Sequence, residues 1–436
     1  MDAPQHIVLF GAGKSATGLI DFLCRHSAGG RLRLTVVDAL ASAALAKTKG
    51  APGTIALGLN ILTEAEERLA LVRSADVVIS LMPPALHQLI ASDCLSEGRH
   101  LLTASYVDDA LRAMAPQVRE RNLLFLCEMG LDPGIDHMSA MSLLDRLREQ
   151  GGEILAFRSH CGGLVAPSSD DNPWHYKISW NPRNVVLAGK AGARFREDGV
   201  DVQVPYEELF DPARQVTVPG LSALGGSSAL AWYPNRDSLG YAPLYGLERI
   251  PTFIRTTLRH PDFCEGWRDV VKLHLTDETP AYDTAGMGLA DFFRAHLQRY
   301  GLTQAPDERL HYLGWNAGDP IDRGRCSAAD VLQYALETRL ALEPHDRDMV
   351  VMLHEITYRL GGVTRKATSA LIVEGQDSVH TAMARTVGLP LGIAALLLLE
   401  DKLALRGLHI PTLPDIYGPV LSRLEAEGIA FTEAIA

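Results

Sequence analysis

Over its first 130 residues the chain alternates short apolar runs with segments of helical periodicity. The runs are rich in Val, Ile and Leu and end at turn-forming residues, which is typical of buried strands. The segments between them repeat apolar residues every three to four positions, which predicts amphipathic helices. The predicted strands are 6–10, 32–37, 54–59, 76–81, 100–103 and 123–127. This alternation predicts an α/β fold with a parallel sheet, helices on both faces and right-handed connections.

After Gly130 the pattern becomes less regular. Residues 154–218 are rich in Gly, Pro, aromatic and polar side chains, and their strand-like runs are irregular. The later segments are a helical stretch at 285–343, strand-like alternation at 349–359 and 367–374, and a helical block at 382–405. We therefore expect a second region of mixed α/β structure with a small helical insertion.

A glycine-rich turn stands where the first predicted strand meets the first predicted helix. The turn reads Gly11-Ala12-Gly13-Lys14-Ser15-Ala16 and fits the pattern G-x-G-x-x-G/A. Such a turn lets the backbone approach a pyrophosphate at the helix N-terminus, so it predicts a dinucleotide site. The NTPase type of phosphate loop is excluded, because it needs a glycine five residues before Gly13, where Val8 stands. The alternative is a tight turn between strand and helix that binds no dinucleotide.

Asp38 closes the second predicted strand. An acidic residue at this place binds the ribose 2′-hydroxyl of NAD and repels the 2′-phosphate of NADP. We therefore expect NAD to be favoured, with NADP as the alternative. Asp38 can also be interpreted as a generic strand-end residue.

Two further loops follow predicted strands at the carboxyl edge of the sheet, where open α/β sheets bind their ligands. They add candidate cofactor-binding residues to the glycine turn. These candidates are Ser80, Leu81, Pro83, Thr103, Ser105, Tyr106 and Val107. Each loop, taken alone, is also compatible with an ordinary connection between a strand and a helix.

Composition narrows the classes of function. The chain has 436 residues, of which 47% are hydrophobic, and this length favours two or three domains. Its net charge is −12 without any long basic run, which argues against a nucleic-acid or acidic-membrane surface.

The most apolar run, 389–399, is shorter than the roughly 20 residues that a bilayer requires. The N-terminus lacks the features of a signal peptide, so we expect a cytoplasmic protein.

The six cysteines form no CxxC pair and are irregularly spaced. This pattern favours free thiols in a reducing compartment over a disulfide framework or a zinc site. His137, His160 and His175 are not at metal-ligand spacing, so we expect no metal.

Several polar and aromatic segments carry a resemblance to a known family. They are the Gly11 turn and the segments 104–107, 130–137, 161–163, 171–173, 176–183, 233–238 and 257–259. In this order they resemble the saccharopine dehydrogenases of the glutamate-forming type, also called saccharopine reductases.

The resemblance implies a three-part organisation. A Rossmann dinucleotide-binding domain would comprise residues 1–130 and be completed by 382–436. A mixed α/β substrate-binding domain would comprise 131–284 and 345–381, and a helical subdomain 285–344. The implied reaction is the NAD(P)-dependent oxidation of saccharopine to glutamate and 2-aminoadipate 6-semialdehyde, or its reverse, in lysine metabolism.

The resemblance also implies roles for individual side chains. Tyr106, Asp132 and Cys161 would lie at the reacting carbon, with Asp132 as the principal proton-handling or orienting group. Leu131 and Pro133 would join Asp132 at the cofactor. The alternative for Cys161 is a small buried hydrophobic residue, which is the more common role of a free cysteine.

Saccharopine has three carboxylates, for which Arg183, Arg236 and Arg259 are the candidate clamps, because a guanidinium binds a carboxylate bidentately. Each arginine taken singly is more often a solvated surface residue, but the motif around Arg236 favours the clamp role for that residue. The other substrate-binding candidates implied by the resemblance are Ser105, Gly162, Gly163 and Trp180.

Two alternatives remain open. One is a related amine dehydrogenase of the carboxynorspermidine type, for which the arginines Arg183 and Arg236 are a poor fit. The other is a non-catalytic dinucleotide-sensing protein, which would need neither Asp132 nor Arg236. The direction of the reaction stays open, and a homodimer is expected only from the general frequency of dimers.

Overall fold

The computed structural model describes residues 3–303 and 307–435. Met1, Asp2, residues 304–306 and Ala436, which fall within the predicted domains, lie outside the described residues. The chain divides into two compact units. Unit 1 comprises Met1–Gln150 and Val379–Ala430, and unit 2 comprises Gly151–Ser378 and Phe431–Ala436.

Within the described residues the strands are β1 (Gln5–Phe10), β2 (Leu32–Asp38), β3 (Thr54–Gly58), β4 (Val77–Ser80), β5 (His100–Thr103), β6 (Leu124–Leu126), β7 (Glu153–Val165), β8 (Ala193–Glu197), β9 (Val200–Val204), β10 (Gln215–Thr217), β11 (Ala229–Pro234), β12 (Thr252–Arg259), β13 (Tyr282–Asp283), β14 (Arg325–Cys326), β15 (Asp348–Leu360), β16 (Val363–Glu374), β17 (Gly407–His409) and β18 (Thr432–Ile435).

The helices of the same residues are α1 (Thr17–Ser27), α2 (Ala41–Thr48), α3 (Ala65–Ser74), α4 (Pro84–Glu97), α5 (Asp109–Glu120), α6 (Ile135–Glu149), α7 (Pro182–Val186), α8 (Pro261–Lys272), α9 (Leu289–Tyr300), α10 (Glu308–Tyr312), α11 (Ala328–Arg339), α12 (Ala382–Leu399) and α13 (Pro414–Ala426).

Unit 1 contains a parallel sheet in the order β17-β6-β5-β4-β1-β2-β3, which confirms the predicted fold class. The central strands are mostly apolar because helices cover both faces of such a sheet. All of Ile7–Phe10 is buried, as is all of Val77–Ser80. The predicted strands correspond to β1–β6, and no strand end differs by more than one residue. The C-terminal strand β17 pairs with β6, a non-local contact that periodicity alone does not predict.

The apolar C-terminal helix α12 packs on α1 at the back of the glycine turn. A Cβ on Gly18 would lie 2.6 Å from the carbonyl oxygen of Ala384, and one on Gly388 would lie 2.5 Å from the amide nitrogen of Leu19. The two backbones therefore touch only because both positions are glycine. By length and composition α12 is a candidate membrane span, although 83% of it is buried inside the protein. A core helix explains its apolar sequence.

Unit 2 is built on a mixed sheet in the order β10-β11-β12-β7-β15-β16-β18, in which β8 also pairs with β12 and β9 pairs with β8. The long strands β7 and β15 are antiparallel, whereas β7 and β12 are parallel. Trp174, Phe263 and Trp267 lie in the core beneath the helices that cover this sheet.

The limits of the two units differ from the domain limits expected from the resemblance. α6 belongs to unit 1, so the division falls after Gln150, and β18 pairs with β16 in unit 2. The helical subdomain at 285–344 lies within unit 2 and stays a prediction.

Candidate active site

The glycine turn has the backbone geometry that its sequence predicts. Gly11 has a φ of +106°, and a Cβ there would lie 2.7 Å from the carbonyl oxygen of Leu81. A Cβ on Gly13, in contrast, would meet nothing within 4 Å. Gly11 is thus required by the protein itself, whereas the space beside Gly13 is open to a ligand. A short 3-10 turn, Lys14–Ala16, then leads into α1 and leaves backbone N–H groups at its start.

Asp38 holds the glycine turn in place. Its Oδ2 accepts a hydrogen bond from the amide of Ala12 at 2.9 Å, and its Oδ1 accepts one from the amide of Leu40 at 3.1 Å. The carboxylate therefore connects the end of β2 to the turn after β1. This backbone role is sufficient to explain an acidic residue at the position.

Lys47 on α2 brings a cation to the same turn. Its Nζ donates to the carbonyl oxygen of Gly13 at 2.5 Å and to Oγ1 of Thr17 at 2.6 Å. Burial lowers the pKa of Lys47 to about 8, against the opposing attraction of Asp21 and Asp38. The sequence analysis missed Lys47, because a lysine inside a short helix has no signature of its own.

His87 connects the two loops at the carboxyl edge of the sheet. Its Nδ1 lies 2.8 Å from Oγ of Ser80 and 3.4 Å from Oγ1 of Thr103, and its Nε2 lies 2.5 Å from Oγ of Ser105. The ring is 4% exposed, and burial lowers its pKa to about 4, so it is neutral near pH 7. One ring nitrogen then donates while the other accepts, which orders the hydroxyl groups. The sequence analysis predicted the three hydroxyl residues but missed the imidazole.

Backbone hydrogen bonds join the loop after β5 to the loop after β6. The amide of Met129 donates to Thr103, and that of Glu128 donates to Ser105, both at 3.0 Å. The Glu128 side chain in turn accepts from the amide of Val107 at 3.2 Å. These bonds bring the segments of Tyr106 and of Asp132 into one rim, where both side chains are half-buried. The predicted candidates of unit 1 thus lie along the carboxyl edge of one sheet.

Arg259 has the most unusual environment among the three predicted arginines of unit 2. It ends β12 and is 4% exposed. Its Nη1 donates to the carbonyl oxygens of Leu258 at 2.8 Å and Gly163 at 3.3 Å, and its guanidinium lies 5.2 Å from the ring centre of Tyr176 and 5.4 Å from that of Phe263. Among the described residues it belongs to no ion pair, and its Nε has no hydrogen-bond partner. A buried cation without an anion is costly, so this position favours an anionic ligand.

The residues around Arg259 include other predicted candidates. Cys161 on β7 is paired with Thr257 on β12, and both Gly162 and Gly163 are buried beside them. A Cβ on Gly162 would lie 2.4 Å from the carbonyl oxygen of Leu258, so only glycine allows this approach. Trp180 donates through Nε1 to the hydroxyl of Tyr176 at 3.2 Å. The structure thus links these predicted residues to Arg259 through adjacent strands and shared partners.

The other two predicted arginines differ from Arg259. Arg183 is half-buried and pairs with Asp330 at 2.9 Å and with Glu278 at 3.0 Å, so its charge is already balanced. Arg236 is exposed and has a φ of +50°. The three guanidinium groups therefore have different environments.

Comparison with known proteins gives a consistent result over the whole chain. Residues 7–126 match the family model of the saccharopine dehydrogenase NADP binding domain, and residues 130–429 match that of the saccharopine dehydrogenase C-terminal domain. The chain is 31% identical over 445 residues to saccharopine dehydrogenase (NADP+, L-glutamate-forming) of Saccharomyces cerevisiae, covering 97% of each protein. The solved apo structure of histidine-tagged saccharopine dehydrogenase (L-Glu forming) from Saccharomyces cerevisiae has a TM-score of 0.86 at 29% identity, covering 99% of this chain and 100% of that one.

A plant relative is considerably longer than this chain. The chain is 34% identical over 406 residues to alpha-aminoadipic semialdehyde synthase of Arabidopsis thaliana, a match that covers 85% of the chain. It spans only 38% of that relative's length.

The expectation that Asp38 favours NAD is wrong. The family model that matches residues 7–126 is that of an NADP binding domain, and the Saccharomyces cerevisiae relative is named for NADP+. The physical reason lies in what Asp38 contacts, because both of its carboxylate oxygens accept backbone hydrogen bonds within the protein. Its charge is also not the only one at the turn, since the ammonium group of Lys47 contacts Gly13.

Proposed function

We propose that this chain, which belongs to the saccharopine dehydrogenase family, interconverts saccharopine with glutamate and 2-aminoadipate 6-semialdehyde in lysine metabolism, using NADP. The observation that carries the proposal is Arg259, a buried guanidinium without an ion-pair partner among the described residues, in a family whose substrate has three carboxylates. The Saccharomyces cerevisiae relative, which matches the chain over 97% of both lengths, supports this substrate by its name.

Two features of unit 1 support NADP as the cofactor. The open space beside Gly13 and the N–H groups at the start of α1 suit a pyrophosphate, and the ammonium group of Lys47 at the turn suits an additional phosphate. Ser80, Leu81, Pro83, Thr103, Ser105, Tyr106, Val107, Leu131, Asp132 and Pro133 remain the other proposed contacts of the cofactor. The chemistry that bound NADP supplies is acceptance of a hydride from the carbon next to the secondary amine.

The protein's own groups would handle protons and orientation. Loss of the hydride leaves an imine, whose hydrolysis requires a water molecule and proton transfer to the departing amine. We propose that Asp132 holds or moves these protons. The hydroxyl of Tyr106 and the thiol of Cys161 would orient the reacting groups, and neither is required to act as a nucleophile.

Arg259 is the strongest of the proposed carboxylate clamps. A charge-assisted bond to a carboxylate would use the Nε–H group, which has no hydrogen-bond partner among the described residues. Arg236, which is exposed, remains a proposed second clamp for a carboxylate. Arg183 is the weakest candidate, because its charge is already paired with Glu278 and Asp330. Gly162, Gly163, Ser105 and Trp180 remain proposed substrate contacts.

The proposal is tested by identifying the products. Purified protein is incubated with NADP and either saccharopine or carboxynorspermidine, and the mixtures are analysed by mass spectrometry. We expect glutamate and the semialdehyde from saccharopine and no product from carboxynorspermidine. Turnover of carboxynorspermidine alone would support the alternative amine dehydrogenase. Binding of NADP without turnover of either substrate would support a sensing protein.

A cytoplasmic location and a homodimer remain part of this proposal. Free cysteines, with Cys94, Cys127, Cys161, Cys264 and Cys326 buried, are compatible with a reducing compartment. Sedimentation analysis of the purified protein tests the dimer, and fluorescence imaging of the tagged protein tests the location.

A further inference from the structure

Two imidazoles and two carboxylates come together in unit 2 in a place that the proposed reaction does not use. We call His175, His260, Asp262 and Asp170 the imidazole–carboxylate cluster. The two imidazole rings face each other with centroids 3.9 Å apart. One ligand atom each from His175, His260 and Asp262 can be chosen so that all three lie within 4.8 Å of one another. His137 and His160, the histidines whose spacing from His175 argued against a metal site, are not its neighbours in this cluster.

His175 lies between two carboxylates. Its Nδ1 is 2.6 Å from Oδ2 of Asp170, and its Nε2 is 3.5 Å from Oδ2 of Asp262. A neutral imidazole has one N–H and one lone pair, and the short contact with Asp170 uses the N–H. The lone pair of Nε2 then points toward an anionic oxygen, which is unfavourable unless a cation lies between them. The residue also has a φ of +46°, a conformation that non-glycine residues seldom adopt.

His260 brings a second imidazole nitrogen to the same oxygen. It precedes α8 as its N-cap, and its Nδ1 accepts a hydrogen bond from the amide of Asp262 at 3.3 Å. Nδ1 also lies 3.1 Å from Oδ2 of Asp262. Two imidazole nitrogens and one carboxylate oxygen thus converge on one place, where a bound cation would take the Nδ1 lone pair in place of the amide hydrogen bond.

We propose that the imidazole–carboxylate cluster binds a divalent transition-metal ion of the zinc type through Nε2 of His175, Nδ1 of His260 and Oδ2 of Asp262. Zinc binds nitrogen and oxygen at about 2.0–2.1 Å in a tetrahedron, whose ligands are then about 3.3–3.4 Å apart. The observed separations of 3.1 and 3.5 Å bracket that value. Asp170 occupies the place of the outer carboxylate that commonly orients a ligating histidine. Three protein ligands leave one position for water.

The surroundings favour a cation. The cluster borders a cleft of about 560 Å³ whose lining also includes Asp171, Asp307 and Glu308. Two cations lie nearby: Lys177 pairs with Asp171 at 2.9 Å, and Arg309 contacts the other oxygen of Asp262 at 3.2 Å but also pairs with Glu265 and Asp307. The charge of Arg309 is therefore balanced by several carboxylates, and Oδ2 of Asp262 remains directed at the imidazoles.

The test measures binding of Zn²⁺ alone by calorimetry, with Co²⁺ absorption as a second readout of coordination geometry. His175→Asn removes one ligand while keeping a residue that tolerates positive φ, and His260→Asn removes the other while keeping a good N-cap. The matched control is His274→Asn, because His274 is an exposed histidine of the same unit with a φ of +56°. Thermal unfolding without metal verifies that each variant folds.

We expect one equivalent of Zn²⁺ to bind the unmodified protein and the control equally. Asp170→Asn should weaken binding by about 10- to 100-fold, the usual effect of losing an outer carboxylate. Each ligand substitution should weaken it further and abolish the tetrahedral Co²⁺ spectrum. Absence of binding at millimolar Zn²⁺ would overturn the proposal. Equal binding by folded His175→Asn and His260→Asn proteins would also overturn it. Neither result depends on dehydrogenase activity.

Discussion

The two units present their candidate ligand-binding groups in different chemical forms. The carboxyl edge of the parallel sheet in unit 1 presents backbone N–H groups and hydroxyls, and a neutral imidazole, His87, orders the hydroxyls. In unit 2, Arg259 keeps a full charge among carbonyl oxygens and ring faces. Changes at Gly13 and His87 should therefore act mainly through shape and hydrogen bonding, whereas changes at Arg259, and at Lys47 in unit 1, should act through charge. The predictions below test this contrast, beginning with the largest expected effect.

Arg259→Met should have the largest effect on catalysis. Removing one partner of a buried charge pair typically costs about 2–5 kcal/mol. We therefore expect kcat/KM for saccharopine to fall by about 30- to 4,000-fold, since each 1.4 kcal/mol corresponds to about a factor of ten. The control is Arg183→Met, which removes two partly exposed ion pairs. It should lower the free energy of unfolding by no more than about 1 kcal/mol. Equal losses of kcat/KM in the two variants would contradict the contrast.

Gly13→Ala should affect the cofactor and leave the protein's stability unchanged. Its new methyl group would meet no protein atom within 4 Å but would occupy space proposed for the pyrophosphate. We expect the Kd for NADP to rise at least about ten-fold, as measured by calorimetry, with an unchanged Tm. Gly240→Ala is the control, because its Cβ also meets no protein atom within 4 Å. Normal NADP affinity in Gly13→Ala would show that the open space is not the cofactor site.

Lys47→Met should weaken the binding of NADP more than that of NAD. A charge-assisted bond to a phosphate is worth about 1.5–3 kcal/mol, so the Kd for NADP should rise by at least about ten-fold. The Kd for NAD should change little, because NAD lacks the 2′-phosphate. Equal weakening of both cofactors would assign Lys47 to the support of the turn alone.

His87→Gln should change how stability depends on pH. The pKa of His87 is lowered by burial from 6.5 to about 4 in the folded state, so between these values only the unfolded chain takes up the proton. Stability should therefore fall as pH decreases from 6.5 to 4, by up to about 3 kcal/mol for this group. Chemical denaturation across this range should show a weaker pH dependence in His87→Gln. The control His311→Gln, at an exposed residue, should follow the unmodified protein; an unchanged profile in His87→Gln would contradict the buried neutral imidazole.

The contrast between the units also explains what could be predicted from the sequence. The glycine turn and the ends of β4 and β5 are local features, because strand, turn and helix follow one another along the chain. Their positions were predictable from periodicity and from the space that glycine requires. The cofactor preference was not, because the hydrogen bonds of Asp38 and the contact of Lys47 with Gly13 depend on how the side chains pack.

Unit 2 was less predictable because its groups come from distant parts of the chain. Arg183, Arg236 and Arg259 were equivalent as residue types, and only burial and pairing distinguish them. His175 and His260 are likewise far apart in sequence but face each other in the fold. A resemblance can indicate such residues, whereas residue type and spacing alone could not tell which charges are paired.

The most direct measurement of the central claim is the initial rate of NADPH formation, followed at 340 nm, when the purified protein is given saccharopine and NADP. We expect one glutamate to appear for each NADPH formed, and a higher kcat/KM with NADP than with NAD. Folded protein that binds NADP but forms no NADPH from saccharopine would contradict the proposed function.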